Sequence, residues 1–309
     1  MPDKHIIFIV GPTAVGKTEV AYLLAQQMDA EIVSCDAMQV YRDVGITTNN
    51  PPRDILNRVP HHLMGIRDVE EEFDVAAFRD LALQAIQDIQ ARQKTVLIAG
   101  GSGMYMQVLL DGIFQGAPKQ QHLRDELWQR FEAEGAGGLM KELEERDPAA
   151  AQKIHPHDVR RLIRALEICR STGQPFSQLK KERQGLWGRY AITLVALNRP
   201  REELYACINA RVERMFDEGM VEEIRRLLHR PLSLTARRII GVSEVAGYLN
   251  RDYDEDRARY LVKLHTRHYA KRQLTWFRKE QRLCWVDIRR EMTAGVVADY
   301  IRTNLCWKA

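Results

Sequence analysis

The sequence predicts an α/β protein, a P-loop NTPase-like parallel sheet core with an all-helical insertion domain. Three observations carry that prediction. Short apolar runs alternate with helical stretches in the N-terminal third, the pattern of a parallel sheet covered by helices. The segment "IVGPTAVGKTEVA", residues 9–21, sets a glycine-rich loop between such a run and a helix. From about Lys119 to Arg183 only helical stretches remain, punctuated by "EGAGG", "DPAAA", "HPHD" and "STGQP".

Taken in order, "HIIFIV" reads as a buried strand, and a helix from Lys17 to about Met28 separates it from a second strand, "AEIVSCD". A helix over Val75 to Arg92 leads to a third strand, "KTVLIAGGSG", that ends in glycines. In such a sheet, ligands bind beyond the carboxyl ends of the strands. After the insertion, "YAITLVAL" returns as a strand. Helices are expected over Arg201 to Leu228 and Asp254 to Arg282, with "RLCWVDI" as a closing strand. The expected organisation is a catalytic core of residues 1–116 and 188–309, ending in basic helices, and an insertion of residues 117–187.

At 309 residues, 45% hydrophobic and 28% charged, the chain has ordinary globular composition and can bury a sizeable core. No apolar run approaches the roughly 18 to 20 residues that span a bilayer. The five cysteines are scattered without a C-x-x-C pair, which argues against a disulfide framework or a structural zinc site. A cytoplasmic protein without a cleaved signal is expected, and nothing in the sequence requires more than a monomer. The net charge of +4 hides a concentration, because Arg257 to Arg282 holds nine Lys or Arg against the single acid Glu280. Such a surface suits an anionic macromolecule, although a solvated helix face has the same composition.

The loop itself consists of Gly11, Pro12, Thr13, Ala14, Val15, Gly16, Lys17 and Thr18. Its backbone N–H groups and the following helix N-terminus suit phosphate oxygens, Lys17 neutralises their charge, and the Thr18 hydroxyl can ligate Mg²⁺. That grip is for a diphosphate and does not select adenine. Asp36 ends the second strand at the same sheet edge, where a carboxylate can serve magnesium or act as a base. Beside it in "DAMQVY", Gln39 has an amide able to read base edges, and Tyr41 is expected to pack. In "DVRRLIRALEI", Arg160 and Arg164 share a helical face with Arg161 beside them, while Leu162, Ala165, Leu166 and Cys169 form the other. Arg267, Lys271, Thr275 and Arg278 also follow helical spacing, with Trp276 and Phe277 among them for stacking or packing. The pairs His61/His62 and His265/His268 lack companions at zinc spacing.

The segments "GPTAVGKT", "SCDAMQVY", "PHHLMGIRD", "GGSGMYMQVLLDG", "HPHDVRRLIRALEI", "RVERMFDEGMVEE", "RRIIGVSEV" and "TRHYAKRQLTWFRK" follow one another as in bacterial tRNA dimethylallyltransferases, which this chain resembles over nearly its whole length. The resemblance implies transfer of a dimethylallyl group from dimethylallyl diphosphate to N6 of the adenosine immediately 3′ of the anticodon. Diphosphate would be released, with Mg²⁺ as cofactor and the tRNA anticodon stem-loop as partner. It implies Asp36 as the base, Thr13 as a partner of the bridging oxygen and Lys17 as the catalytic cation. Arg211 of "NARVERMF" becomes a diphosphate contact, with Arg214 as the competing choice. RNA contacts are implied at Asp36, Ala37, Met38, Gln39, Ser102, Arg124, Arg160, Arg161, Arg164, Arg238, Lys271, Arg272, Gln273 and Arg278.

The chain departs from the family pattern at four places. "DAMQ" stands for the usual "DSAQ", and "GITTNNP" from Gly45 stands for "GTAKP", which removes a lysine. "IGVSE" stands for "IGYRE", so Val242 and Ser243 replace an aromatic residue and an arginine, whereas Ser102 in place of threonine keeps its hydroxyl. Two other readings fit part of the sequence. The loop alone also suits a small-metabolite kinase, and the basic helices alone suit a non-catalytic RNA-binding protein.

Overall fold

The computed structural model describes residues 5–113 and 120–305. The chain divides into two compact units, one of residues 1–109 with 187–309 and one of residues 110–186. The first is built on six parallel strands: β1 His5–Val10, β2 Ala30–Ser34, β3 His61–His62, β4 Thr95–Gly100, β5 Ala191–Asn198 and β6 Cys284–Asp287. Their order across the sheet is β3-β2-β4-β1-β5-β6. β1 is buried from Ile6 to Val10, as a strand covered by helices on both faces must be. In the register, Val10 lies beside both Gly100 and Ala196, and Ser34 beside Ala99. The carboxyl ends of β1, β2 and β4 therefore open onto one edge, and the loop at Gly11, Asp36 and the "GGSG" turn all emerge there.

Helices complete the core of this unit. Lys17–Gln27 buries Val20, Ala21, Leu24 and Ala25. Arg201–Asp217 sends Leu204, Ile208, Val212 and Met215 at helical spacing into the same cluster as Ile7, Ile9 and Leu197. The helical stretch expected over Arg201 to Leu228 comprises two helices, Arg201–Asp217 and Met220–Leu227, because Gly219 at φ 102° turns the chain and caps the second. The basic helix runs from Glu255 to Phe277, started by the Asp254 carboxylate, which accepts from Arg257 N–H. Four α-helices were not expected: Arg53–Arg58, Gly103–Asp111, Val242–Leu249 and Ala294–Asn304.

The second unit is helical throughout its described residues. Its main helices, Gln121–Glu134, Ala136–Arg146 and Val159–Thr172, enclose Leu127, Leu139, Leu143, Leu162, Leu166 and Cys169. The division expected in "DVRRLIRALEI" holds for Leu162, Ala165, Leu166 and Cys169, which are buried, and for Arg160 and Arg161, which are exposed, whereas Arg164 is half-buried against Glu167. Among the described residues no helix is long and apolar enough to cross a membrane.

Candidate active site

The loop after β1 can make its turn because Gly11, Ala14 and Gly16 take positive φ, at 146°, 65° and 107°. Gly16 caps the Lys17–Gln27 helix and has no side chain to occupy the first-turn N–H groups, so those donors and the positive end of the helix are left for an anion. Lys17 folds back over the loop, its ammonium donating to Pro12 O at 2.8 Å. Burial pushes that ammonium down to about 7, and the nearby Arg211 charge adds to the shift. Arg211 is brought in by the buried stripe of its helix, three residues after Ile208, and its Nη1 donates to Thr13 Oγ1 at 2.9 Å. Burial also lowers Arg211, with Arg214 as the next cause. Among the described residues, neither Lys17 nor Arg211 is bonded to a carboxylate. Two desolvated cations thus rest on neutral oxygens.

Across the edge, Asp36 accepts from Met38 N–H at 2.9 Å, which fixes one carboxylate oxygen and leaves the other to accept from an incoming group. Gln39 is turned into its own loop, accepting from Ser34 Oγ at 3.1 Å and donating weakly to Thr48 O and Asn49 O. Beyond it lies the unusual "GITTNN" segment, and Glu223 holds that segment in place. Its carboxylate accepts from Ile46 N–H at 2.9 Å, Thr47 N–H at 2.7 Å and the Thr47 hydroxyl at 2.6 Å. Sequence reasoning missed Glu223, because nothing in "EGMVEE" shows that one of its acids reaches a loop 176 residues away.

These groups line two cavities, of about 280 and 300 Å³, that share Thr13, Asp36, Thr48, Asn49 and Arg211. Gly16, Lys17, Thr18, Gln39 and Arg214 line the first. Met38, Val212, Met215, Ile239, Ile240 and Val262 give the second an apolar wall, and Arg238, Tyr269 and Arg272 add polar groups. Both arginines proposed from "NARVERMF" therefore reach the first cavity, and Arg211 also touches the loop.

Lys271, Arg272 and Arg278 are exposed on and just past the basic helix, whereas Gln273 is 6% exposed and bonded to the loop. Ser102 donates its N–H to Cys35 O at 3.1 Å and starts the next helix by accepting from Met106 N–H. In the helical unit, Arg160 and Arg161 are exposed on the surface, but Arg124 and Arg164 lie against the buried Glu167 carboxylate at 2.7 and 2.9 Å. Burial pushes that carboxyl up, and the two arginines more than offset it, holding Glu167 below its ordinary value.

His61 and His62 lie on β3, where His61 Nδ1 meets Val59 O and His62 Nε2 meets the Glu31 carboxylate. Among the described residues no three His, Cys, Asp or Glu side chains group as metal ligands. The first cavity does contain a hydroxyl at Thr18 and a carboxylate at Asp36, hard oxygen donors of the kind that suit Mg²⁺ when phosphate oxygens supply the remaining ligands.

A helix end with no side-chain cap and two desolvated cations, facing a carboxylate across a shared space, define a P-loop-fold enzyme that transfers a group away from a phosphate-bearing donor. A family model described as IPP transferase matches residues 39–280, and the chain belongs to that family. It is 39% identical over 291 residues to the tRNA dimethylallyltransferase of Halothermothrix orenii, covering 93% of this chain and 89% of that one. With the tRNA dimethylallyltransferase of Thermotoga petrophila it shares 41% identity, over 92% of each chain. The structure is similar to that of the full-length tRNA isopentenylpyrophosphate transferase of Bacillus halodurans, at TM-score 0.70 and 34% identity, covering 97% of this chain and 96% of that one. It is also similar to a eukaryotic dimethylallyltransferase captured acting on tRNA, at TM-score 0.77 and 27% identity, covering 96% of this chain and 75% of that one.

Proposed function

We propose that this chain transfers a dimethylallyl group from dimethylallyl diphosphate to N6 of the adenosine immediately 3′ of the anticodon in tRNA. The observation that carries the reading is the junction of the two cavities at Thr13, Asp36 and Arg211. A leaving diphosphate and an accepting amine must both be held within bonding distance of one carbon, and this junction sets a phosphate cradle directly against a carboxylate.

The adenine amine is a weak nucleophile because its lone pair is delocalised into the ring. Asp36 orients it through a hydrogen bond and takes its proton as the new C–N bond forms. The allylic C–O bond breaks, and the electron pair leaves on the diphosphate. Lys17, Arg211 and the amides of the helix N-terminus stabilise the charge that grows there. Thr13 has a specific part in this step. Because its oxygen already accepts from Arg211, its own hydrogen is free to donate to the bridging oxygen. Mg²⁺, held by Thr18 and the diphosphate oxygens, would supply further neutralisation of the same charge.

The adenine must leave its stack to reach this site, at a cost of a few kcal/mol that contacts elsewhere offset. Exposed Lys271, Arg272 and Arg278 on the sheet unit, and Arg160 and Arg161 on the helical unit, are suited to phosphate contacts. The test is transfer of radiolabel from dimethylallyl diphosphate into tRNA. Label is expected in tRNA that carries the adenosine and absent with Asp36→Ala. ATP turnover with a small acceptor, without labelled tRNA, would overturn the reading in favour of a kinase.

A further inference from the structure

Gln273 is the exception on the basic helix. Around it Lys271, Arg272, Thr275 and Trp276 are exposed, Trp276 at 43%, yet Gln273 is almost wholly buried. Both ends of its amide are in use. Oε1 accepts from Thr13 N–H at 2.8 Å, and Nε2 donates to Gly101 O at 2.8 Å. A donor on one side and an acceptor on the other admit only one orientation of the amide, and little remains with which to read a base edge.

The "GGSG" turn is shaped to receive this helix. A Cβ on Gly101 would stand 2.2 Å from Gln273 Nε2, and one on Gly103 would stand 2.1 Å from the Trp276 ring. Each backbone segment that Gln273 joins leads to a reacting group. Thr13 carries the hydroxyl that Arg211 polarises. Gly101 follows Gly100, which is packed so closely on Cys35 that a Cβ there would lie 2.1 Å from Cys35 O. Ser102 N–H donates to that same carbonyl at 3.1 Å, and the next residue is Asp36.

We infer that Gln273 is a positioning residue, one that fixes the separation of Thr13 from Asp36 and couples both to the basic helix. The inference rests on the prenyl-transfer reading above. It gives this position a different task from the RNA contact that family resemblance implied. Because the outer face of the same helix carries Lys271 and Arg272, tRNA docked on that face and diphosphate held by the loop act on the two ends of one short lever.

Gln273→Met keeps the length and bulk of the side chain and removes both hydrogen bonds. With the full chain, kcat at saturating tRNA and dimethylallyl diphosphate is expected to fall about ten- to a hundredfold, as for a reacting group displaced by a fraction of an ångström. The tRNA dissociation constant should stay within about twofold. Gln273→Glu adds a signature of its own. Only the protonated acid can accept from Thr13 and donate to Gly101 at once, so its kcat relative to wild type should rise as pH is lowered. Wild-type labelling of tRNA, run in parallel, reports on the prenyl-transfer reading separately. Binding of inorganic diphosphate without tRNA tests the clamp whatever the acceptor, and Gln273→Met should weaken it several-fold. An unchanged kcat with tRNA affinity reduced tenfold would overturn the inference and return Gln273 to RNA recognition. Unchanged kcat, tRNA affinity and diphosphate binding in a variant that melts like wild type would overturn it equally.

Discussion

At the cavity in the sheet unit, Lys17 and Arg211 bond to neutral oxygens, Pro12 O and Thr13 Oγ1. In the helical unit, Arg124 bonds to the carboxylate of Glu167, and Arg130, Arg146 and Arg170 converge on that of Glu142. The residue types are similar, but the electrostatics are opposite. A desolvated cation on a neutral acceptor is only partly compensated, here by the nearby Asp36 charge, and an anionic ligand can supply the rest. A cation on a carboxylate is already matched and holds helices together. On the proposed reading, partner type more than the count of arginines separates binding from scaffolding, and Arg160 and Arg161, exposed on the helical unit, form a third group suited to RNA phosphates.

The largest effect should come from removing an under-compensated cation. Lys17→Met is expected to lower kcat/KM about a hundred- to a thousandfold, the loss typical of one preorganised donor to a developing charge. Arg124→Met in the helical unit should leave kcat at saturating tRNA within about twofold. Steady-state kinetics on the two variants break the comparison if their losses are alike.

The sheet, the loop and the junction acid were legible because each is encoded locally. Apolar runs such as "HIIFIV" need both faces buried, and a G-x₄-G-K-T spacing after such a run has few uses besides an anion cradle. What escaped reading was encoded across long distances or in too few residues. β3 is two residues long, so it offers no alternation to detect. The Val242–Leu249 helix has Gly247 in its middle, and its start is marked by Glu244 accepting from Gly241 N–H, a bond invisible until the loop is folded. Glu223 and Gln273 look like surface residues of polar helices, and only the fold shows them reaching Thr47 and Thr13. Arg124 and Arg164 were readable as cations but not as partners of Glu167, since a buried acid in a helix is unremarkable in sequence.

A smaller effect with a definite sign follows from Lys17. In the ligand-free protein its ammonium is held at about 7, and a bound diphosphate must raise that value by restoring a counter-charge. The charge contribution to diphosphate binding is therefore present below about pH 7 and is lost as pH rises toward the bound-state value, by at most about tenfold per pH unit. Calorimetry in buffers of different ionisation enthalpy should show proton uptake on binding near pH 7.5, and Lys17→Met should abolish the component due to this residue. Uptake unchanged in the variant would mean that Lys17 is already fully charged before the ligand arrives.

The smallest effect is confined to the scaffold. Hydrogen bonds from Arg170, opposed by partial burial and reinforced by Arg130, hold the Glu142 carboxyl down at about 2, below the ordinary 4.5. A depressed carboxylate contributes stability that is complete above its unfolded value and is lost as pH falls from about 4.5 toward 2. Glu142→Gln removes that charge while leaving Arg130, Arg146 and Arg170 in place. At pH 7 it should destabilise the helical unit by about 1–3 kcal/mol, the usual range for leaving hydrogen-bonded groups without their partner. Hydrogen exchange over Ala136–Arg146 and Val159–Thr172 should speed up at pH 7, and the difference from wild type should shrink as the pH is lowered through 4. Diphosphate binding should not change, because it depends on cations in the other unit. If Glu142→Gln weakened diphosphate binding as much as it loosened these helices, the division between matched and under-compensated cations would be wrong.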